Sequence, residues 1–211
     1  MIKYLDLTEM NKPYIDDFFL DLKDIFKNSD FINGSFVEKF EEKFAYENNS
    51  KYAIGVSSGT DALAVILSAL QLKPSDGVIY YPSNTFIGSI LGGLQMGFKF
   101  KPYDVSLETM NSELENFNFG EDASAVIGVH LYGYGLKSIK KMSKICKDRG
   151  IPLIEDCSQA HFQTVKKTCV GNFGTVSFFS LYPGKNLGGI GDGGIICTNQ
   201  KQLAEKILAI R

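Results

Sequence analysis

From residue 52 onward, short apolar runs alternate with stretches of helix length, and this alternation constrains the fold more than any other feature of the chain. The runs cover 52–57, 77–82, 98–105, 125–133, 151–158, 175–181 and 194–198. Several are apolar throughout rather than at every second position, as parallel strands buried on both faces must be. Parallel neighbours need long crossovers, and 61–70, 85–96 and 138–148 each have the length of a crossover helix. The pattern predicts an α/β protein with three α/β/α layers around a mostly parallel seven-stranded sheet. The first fifty residues are charged and amphipathic, and Ser35-Phe36-Val37-Glu38 has the form of a capping box opening a helix through Phe40, Phe44 and Ala45. A final helix is expected over 200–211. No repeat or linker interrupts the chain, so 1–211 reads as one large domain with 1–50 as its N-terminal helical segment.

Charge and composition exclude several classes. A net charge of -2 gives no electrostatic footprint for nucleic acid or an anionic membrane surface. No apolar run approaches the length of a membrane span, and Met1-Ile2-Lys3-Tyr4-Leu5-Asp6 lacks the apolar core of a signal peptide. Cys146, Cys157, Cys169 and Cys197 are widely spaced with no CxxC pair, so they read as free thiols of a reducing compartment, the cytoplasm. Neither His130 nor His161 has a cysteine or histidine at ligand spacing, and no metal is expected.

Candidate chemistry lies where predicted strands end, the usual place for a ligand in a parallel sheet. Ser57-Ser58-Gly59-Thr60-Asp61-Ala62-Leu63 joins a strand to an apolar helix. Its small residues and free helix-start N–H groups suit an anion, although a plain N-cap by Ser58 or Thr60 explains the same composition. In Ile154-Glu155-Asp156-Cys157-Ser158-Gln159-Ala160-His161, alternation puts Glu155 and Cys157 on one face and Asp156 on the other. A buried acid is costly unless something positive meets it. A protonated pyridine nitrogen is one such partner; a helix to cap or an arginine are others. Lysines are usually solvated. Lys185, however, follows an apolar strand and a Pro183-Gly184 turn, and a glycine-rich loop succeeds it, the setting of a partly desolvated nucleophilic amine. Gly189, Gly191 and Gly194 match GxGxxG, but the next residues, Ile195-Ile196-Cys197-Thr198, read as a strand where a dinucleotide site needs a helix.

Six segments in order resemble the DegT-like nucleotide-sugar aminotransferases, of the aspartate-aminotransferase (type I) fold of pyridoxal-phosphate enzymes. They are Phe31-Ile32-Asn33-Gly34 with Phe40-Glu41, Ser58-Gly59-Thr60-Asp61-Ala62-Leu63, Pro82-Ser83-Asn84-Thr85-Phe86, Val129-His130-Leu131-Tyr132-Gly133, Glu155-Asp156-Cys157-Ser158-Gln159-Ala160-His161, and the Lys185 loop. The resemblance implies that Lys185 attaches pyridoxal 5'-phosphate as a Schiff base and then shuttles a proton. It implies that Asp156 pairs with the ring nitrogen, Gln159 meets the 3′ oxygen, Phe86 stacks on the ring, and Gly59, Thr60 and Ser180 hold the phosphate. The implied reaction moves an amino group from an amino acid, glutamate being the expected donor, to a nucleotide-linked keto-sugar. The segment Tyr182-Pro183-Gly184-Lys185-Asn186-Leu187-Gly188 most resembles relatives acting at C3 of a 3-keto-6-deoxyhexose.

Two departures stand out. Phe162 occupies a position where the family usually has glycine, implying an altered pocket floor. The family also implies a C-terminal small domain and a homodimer at full length, so the sequence is expected to be the large-domain portion of a longer protein. Two alternatives to the enzyme reading are a catalytically impaired cofactor-binding fragment and a nucleotide-binding α/β protein without pyridoxal phosphate.

Overall fold

The computed structural model describes residues 2–112 and 119–211. The helices are α1 (Leu7–Asn11), α2 (Ile15–Asn28), α3 (Ser35–Glu47), α4 (Gly59–Ala69), α5 (Gly88–Gln95), α6 (Ile139–Asp148) and α7 (Lys201–Ile210). The strands are β1 (Tyr52–Val56), β2 (Val78–Pro82), β3 (Lys99–Tyr103), β4 (Ala123–Val129), β5 (Leu153–Asp156), β6 (Thr164–Val165), β7 (Thr168–Cys169), β8 (Val176–Ser180) and β9 (Gly194–Thr198). Seven of them form one sheet in the order β1-β9-β8-β5-β4-β2-β3. All neighbours are parallel except β9, which runs antiparallel to both β1 and β8. The three-layer expectation holds.

Two apolar layers flank the sheet, and strand alternation assigns each side chain to one of them. On one side Ile54, Ile79, Ile127, Ile154, Phe178 and Ile196 pack under Leu63, Ile66 and Leu67 of α4 and Leu203 and Ile207 of α7. On the other side Ala53, Val126, Leu153, Phe179 and Ile195 meet Phe44 of α3 and Ile139, Met142 and Cys146 of α6. The edge strand β3 exposes Lys99, Lys101 and Pro102, residues that discourage pairing with another chain. Helices α1 and α2 bury no residue. No helix among the described residues is long and apolar enough to cross a membrane.

Several local expectations need correction. Ser35 is the first residue of α3 rather than its cap. Gly34 stands at the cap, and the Asp30 carboxylate accepts both the Ser35 N–H and its hydroxyl at 2.8 Å. A carboxylate is the stronger acceptor, so it displaces the box. The run 125–133 ends as strand at Val129, because Leu131–Gly133 turns through a single 3-10 segment with Tyr132 at φ 56°. The run 151–158 ends at Asp156, whose Oδ1 accepts the Ser158 N–H at 3.0 Å and closes a turn. The hairpin β6–β7 was not anticipated. Its turn residues Lys166 and Lys167 both have positive φ, a geometry usually signalled by asparagine and glycine.

Glu155 lies wholly buried within the second layer. Its Oε1 accepts the N–H groups of Phe173 (2.8 Å) and Gly174 (2.6 Å), and Oε2 accepts that of Gly171 (2.9 Å). The His130 Nε2 is 2.9 Å from Oε2, while the Leu136 N–H donates to His130 Nδ1 at 3.0 Å. The proton is therefore on Nε2, and the imidazole is a fourth donor to the carboxylate. One side chain thus ties β5, the end of β4 and the loop entering β8. Glu155→Ala leaves these donors unpaired in the core, and we expect a loss of about 4 kcal/mol or more. Glu155→Gln turns amide hydrogens toward existing donors and should lose about 2–3 kcal/mol. Urea unfolding followed by circular dichroism checks both; a Gln variant as stable as the parent contradicts the assignment.

Candidate active site

All seven residues singled out from sequence line a single cavity of about 440 Å³: Gly59, Thr60, Phe86, Asp156, Gln159, Ser180 and Lys185. Each reaches it from the carboxyl end of a strand or the segment just beyond. Sequence distance between them runs from one residue to more than a hundred, so the sheet order, not local chain geometry, gathers them.

At one end the sharp turn from β1 into α4 presents the helix start. Ser58 caps α4, its Oγ accepting the Asp61 N–H at 3.0 Å, so the plain capping role is real. That cap leaves the N–H groups of Gly59 and Thr60 without a protein partner among the described residues, and these line the cavity. A Cβ on Gly59 would stand 3.0 Å from that of Ser180, so only glycine lets the helix start approach β8 this closely. Two donors and the Ser180 hydroxyl at a helix N-terminus suit a phosphate.

Asp156 closes the other side. It is 5% exposed, and its Oδ2 accepts the Ser89 hydroxyl at 2.6 Å. The chain has only two arginines, Arg149 and Arg211. The first is bonded to the carbonyls of Phe119 and Gly120 and the second pairs with Glu41, so the arginine-paired alternative for Asp156 is gone. No cation among the described residues pairs with this buried carboxylate. A protonated ring nitrogen placed in the cavity meets that requirement. Gln159 Oε1 accepts the Tyr132 N–H at 2.7 Å, which turns the amide so that its NH₂ is the end left for a ligand. Phe86 is 69% exposed, a free ring surface at the cavity wall.

Lys185 is half-buried, and no described residue pairs with its ammonium. Its loop is closed at the base: Leu181 N–H donates to the Gly193 carbonyl, and the Leu181 carbonyl accepts from Gly189, both at 2.8 Å. The residues after the glycines form β9, which rules out a dinucleotide fingerprint here. Thr85 and Asp192, to which the sequence reading gave no role, also line the cavity, and so does Ser89, which it missed. Only helical phasing of Ser89 against Phe86 could have pointed to it.

Phe162 does not shape the cavity floor. Its backbone adopts φ 58°, the left-handed conformation that glycine takes most easily, and its ring packs 5.1 Å from that of Phe44 in α3. The aromatic contact offsets backbone strain of about 1 kcal/mol. We expect Phe162→Ala, which keeps the strain and loses the ring, to be less stable than Phe162→Gly by about 1 kcal/mol. That reverses the usual order, and thermal melts of the two variants test it.

His161 donates from Nε2 to the Ser180 carbonyl at 2.9 Å, and its Nδ1 is buried with no partner among the described residues. Burial pushes the imidazole down to about 4, the Lys185 charge acts the same way, and the bond to Ser180 opposes them. The folded state therefore binds fewer protons than the unfolded chain, whose histidine titrates near 6.5. This histidine has no stability cost above that pH, an increasing one as pH falls, and a constant one below about pH 4. The full effect is about 3 kcal/mol. Urea midpoints of the parent and His161→Gln should differ increasingly from pH 7 to pH 4.5, with the parent losing more stability; parallel profiles disprove it.

The ligand atoms of His130, Glu155 and Cys157 lie within 4.8 Å of one another. The lone pairs of His130 and Glu155 already accept hydrogen bonds, and burial pushes the Cys157 thiol well above its ordinary value. The group is a hydrogen-bonded knot rather than an ion site.

A mostly parallel sheet thus gathers at its carboxyl edge a helix start suited to an anion, a buried acid and a loop-borne lysine, the equipment of a cofactor site. Residues 14–211 match the DegT/DnrJ/EryC1/StrS aminotransferase family, and the chain belongs to it. It is 37% identical over its whole length to the dTDP-3-amino-3,6-dideoxy-alpha-D-galactopyranose transaminase of Aneurinibacillus thermoaerophilus, covering 58% of that protein. Identity is 34% to a pleiotropic regulatory protein of Geobacillus stearothermophilus, of which the chain covers 56%. The fold superposes on S. venezuelae DesV, solved in complex with a ketimine intermediate, with a TM-score of 0.92 and 29% identity, over 98% of this chain and 56% of that one. The chain thus spans little more than half the length of these relatives.

Proposed function

We propose that residues 1–211 form the pyridoxal-phosphate-binding large domain of an aminotransferase that moves an amino group from an amino acid, glutamate by preference, to a nucleotide-linked keto-sugar. The observation that carries the reading is the buried Asp156, without a cationic partner, lining the same cavity as the unpaired amine of Lys185. The sugar carbon is C3 of a 3-keto-6-deoxyhexose. Support comes from relatives named as dTDP-3-amino-sugar transaminases, including one of Streptomyces venezuelae at 34% identity. The enzyme is a cytoplasmic homodimer in this reading.

Pyridoxal phosphate, when bound, supplies a ring that accepts the electron pair of a broken C–H bond. The N–H groups of Gly59 and Thr60, with the Ser180 hydroxyl, would bind its phosphate. Asp156 would hold the proton on its ring nitrogen, the Gln159 NH₂ would donate to its ring oxygen, and Phe86 would stack on the ring. Lys185 would supply the attaching amine, and its Nζ would hold and move the proton within the cavity.

Borohydride reduction of the protein with pyridoxal phosphate should fix one adduct, on the peptide bearing Lys185. Lys185→Ala should abolish the adduct while leaving far-ultraviolet circular dichroism unchanged. A stable adduct on another lysine refutes the assignment. Glutamate-dependent amination of a dTDP-3-keto-6-deoxyhexose then tests the substrate.

A further inference from the structure

Ser89 lies outside the six segments that carry the family resemblance, yet it makes the shortest hydrogen bond to the acid of the cavity. It is 2% exposed on α5, and its hydroxyl is 2.6 Å from Asp156 Oδ2. That length is typical of a hydroxyl donating to a charged oxygen. Its Oγ is also 2.7 Å from Thr85 Oγ1. An ionised carboxylate only accepts, so the single Ser89 proton points at Asp156 and Thr85 must donate to Ser89. The hydroxyls therefore form a one-way chain, Thr85 to Ser89 to Asp156.

Packing makes the chain possible. α5 presses against the first turn of α4, and a Cβ on Gly92 would collide with the Thr60 carbonyl. This close approach brings Ser89 over the end of β5. The other carboxylate oxygen, Oδ1, is held by the Ser158 N–H at 3.0 Å. Two donors, one on each oxygen, fix the plane of the carboxylate, and each oxygen retains a lone pair for a ligand. Because Thr85 directly precedes Phe86, the same chain couples the acid to the residue forming the cavity's aromatic wall.

We propose that Ser89, set by Thr85, is a positioning residue that holds the Asp156 carboxylate in the plane needed to receive a ring N–H. The proposal rests on the reading of this cavity as a pyridoxal-phosphate site, and adds to it a hydroxyl chain as the device that aims the acid.

The test titrates the 211-residue chain with pyridoxal 5'-phosphate and follows two readouts, the dissociation constant and the visible circular dichroism of the bound group, which reports its orientation. Ser89→Ala should weaken binding about 10-fold, the worth of one charge-assisted hydrogen bond, and diminish the visible dichroic band. Ser89→Thr, which keeps the hydroxyl, should restore both to within about 2-fold, which loss of packing alone does not predict. Thr85→Val removes only the outer donor and should weaken binding about 3-fold; it decides the matter if Ser89→Ala fails to fold. Parent-like binding and dichroism in Thr85→Val, together with parent-like or unfolded Ser89→Ala, overturn the proposal. Should Asp156→Asn lose the cofactor while both hydroxyl variants keep it, the cofactor reading stands and the positioning role falls. A parent chain that binds no pyridoxal phosphate overturns both.

Discussion

A carboxylate placed at the centre of an apolar layer should be a liability, and the rest of this fold is arranged around making it an asset. Glu155 accepts three backbone N–H groups and the His130 imidazole, so a single residue answers for the polar backbone of the loop entering β8. Without that acceptor the loop would have to reach solvent, and β8 could not lie against β5 in its present register. The cavity inherits this constraint, because Ser180 and the Lys185 loop hang from the far end of β8.

The neighbouring residue solves the opposite problem. Asp156 lies one position further along the strand, so the period of two turns it to the other face, toward α4 and α5. Glu155 has every acceptor site engaged from within the protein. Asp156 has one donor on each oxygen and room for another. Adjacent acids thus divide into one that is closed and holds the fold, and one that is open and faces the cavity. The contrast comes from surroundings alone, since the side chains differ by a single methylene.

Much of this was legible in the sequence. The seven apolar runs gave seven sheet strands, and the alternation within 153–158 placed Glu155 and Asp156 on their correct faces. The seven candidate residues line one cavity because each lies at the carboxyl end of a strand or in the segment just beyond it, which local pattern reveals. Other features escaped because their causes are not local. Asp30 replaces the Ser35 capping box through a carboxylate five residues upstream. Ser89 looks like one more small residue of α5 until α4 packing carries it to Asp156. Phe162, taken as part of the pocket, is held away from it by Phe44, more than a hundred residues earlier in the chain.

The antiparallel strand β9 has a consequence for how the molecule is made. Among the described residues it is the last strand, yet it sits between β8 and the first strand, β1, so β1 finds its one described sheet partner more than a hundred positions later. The flanking bond from the Lys51 N–H to Asn199 spans 148 positions, and the ion pair between Glu41 and Arg211 spans 170. On a ribosome adding about 5–20 residues per second, β1 waits on the order of ten seconds or more before its neighbour is translated. The helix start that follows β1 waits with it. The turn into α4 is therefore synthesised well before the strand that locks it, and the nascent chain must keep an apolar strand from straying throughout that interval.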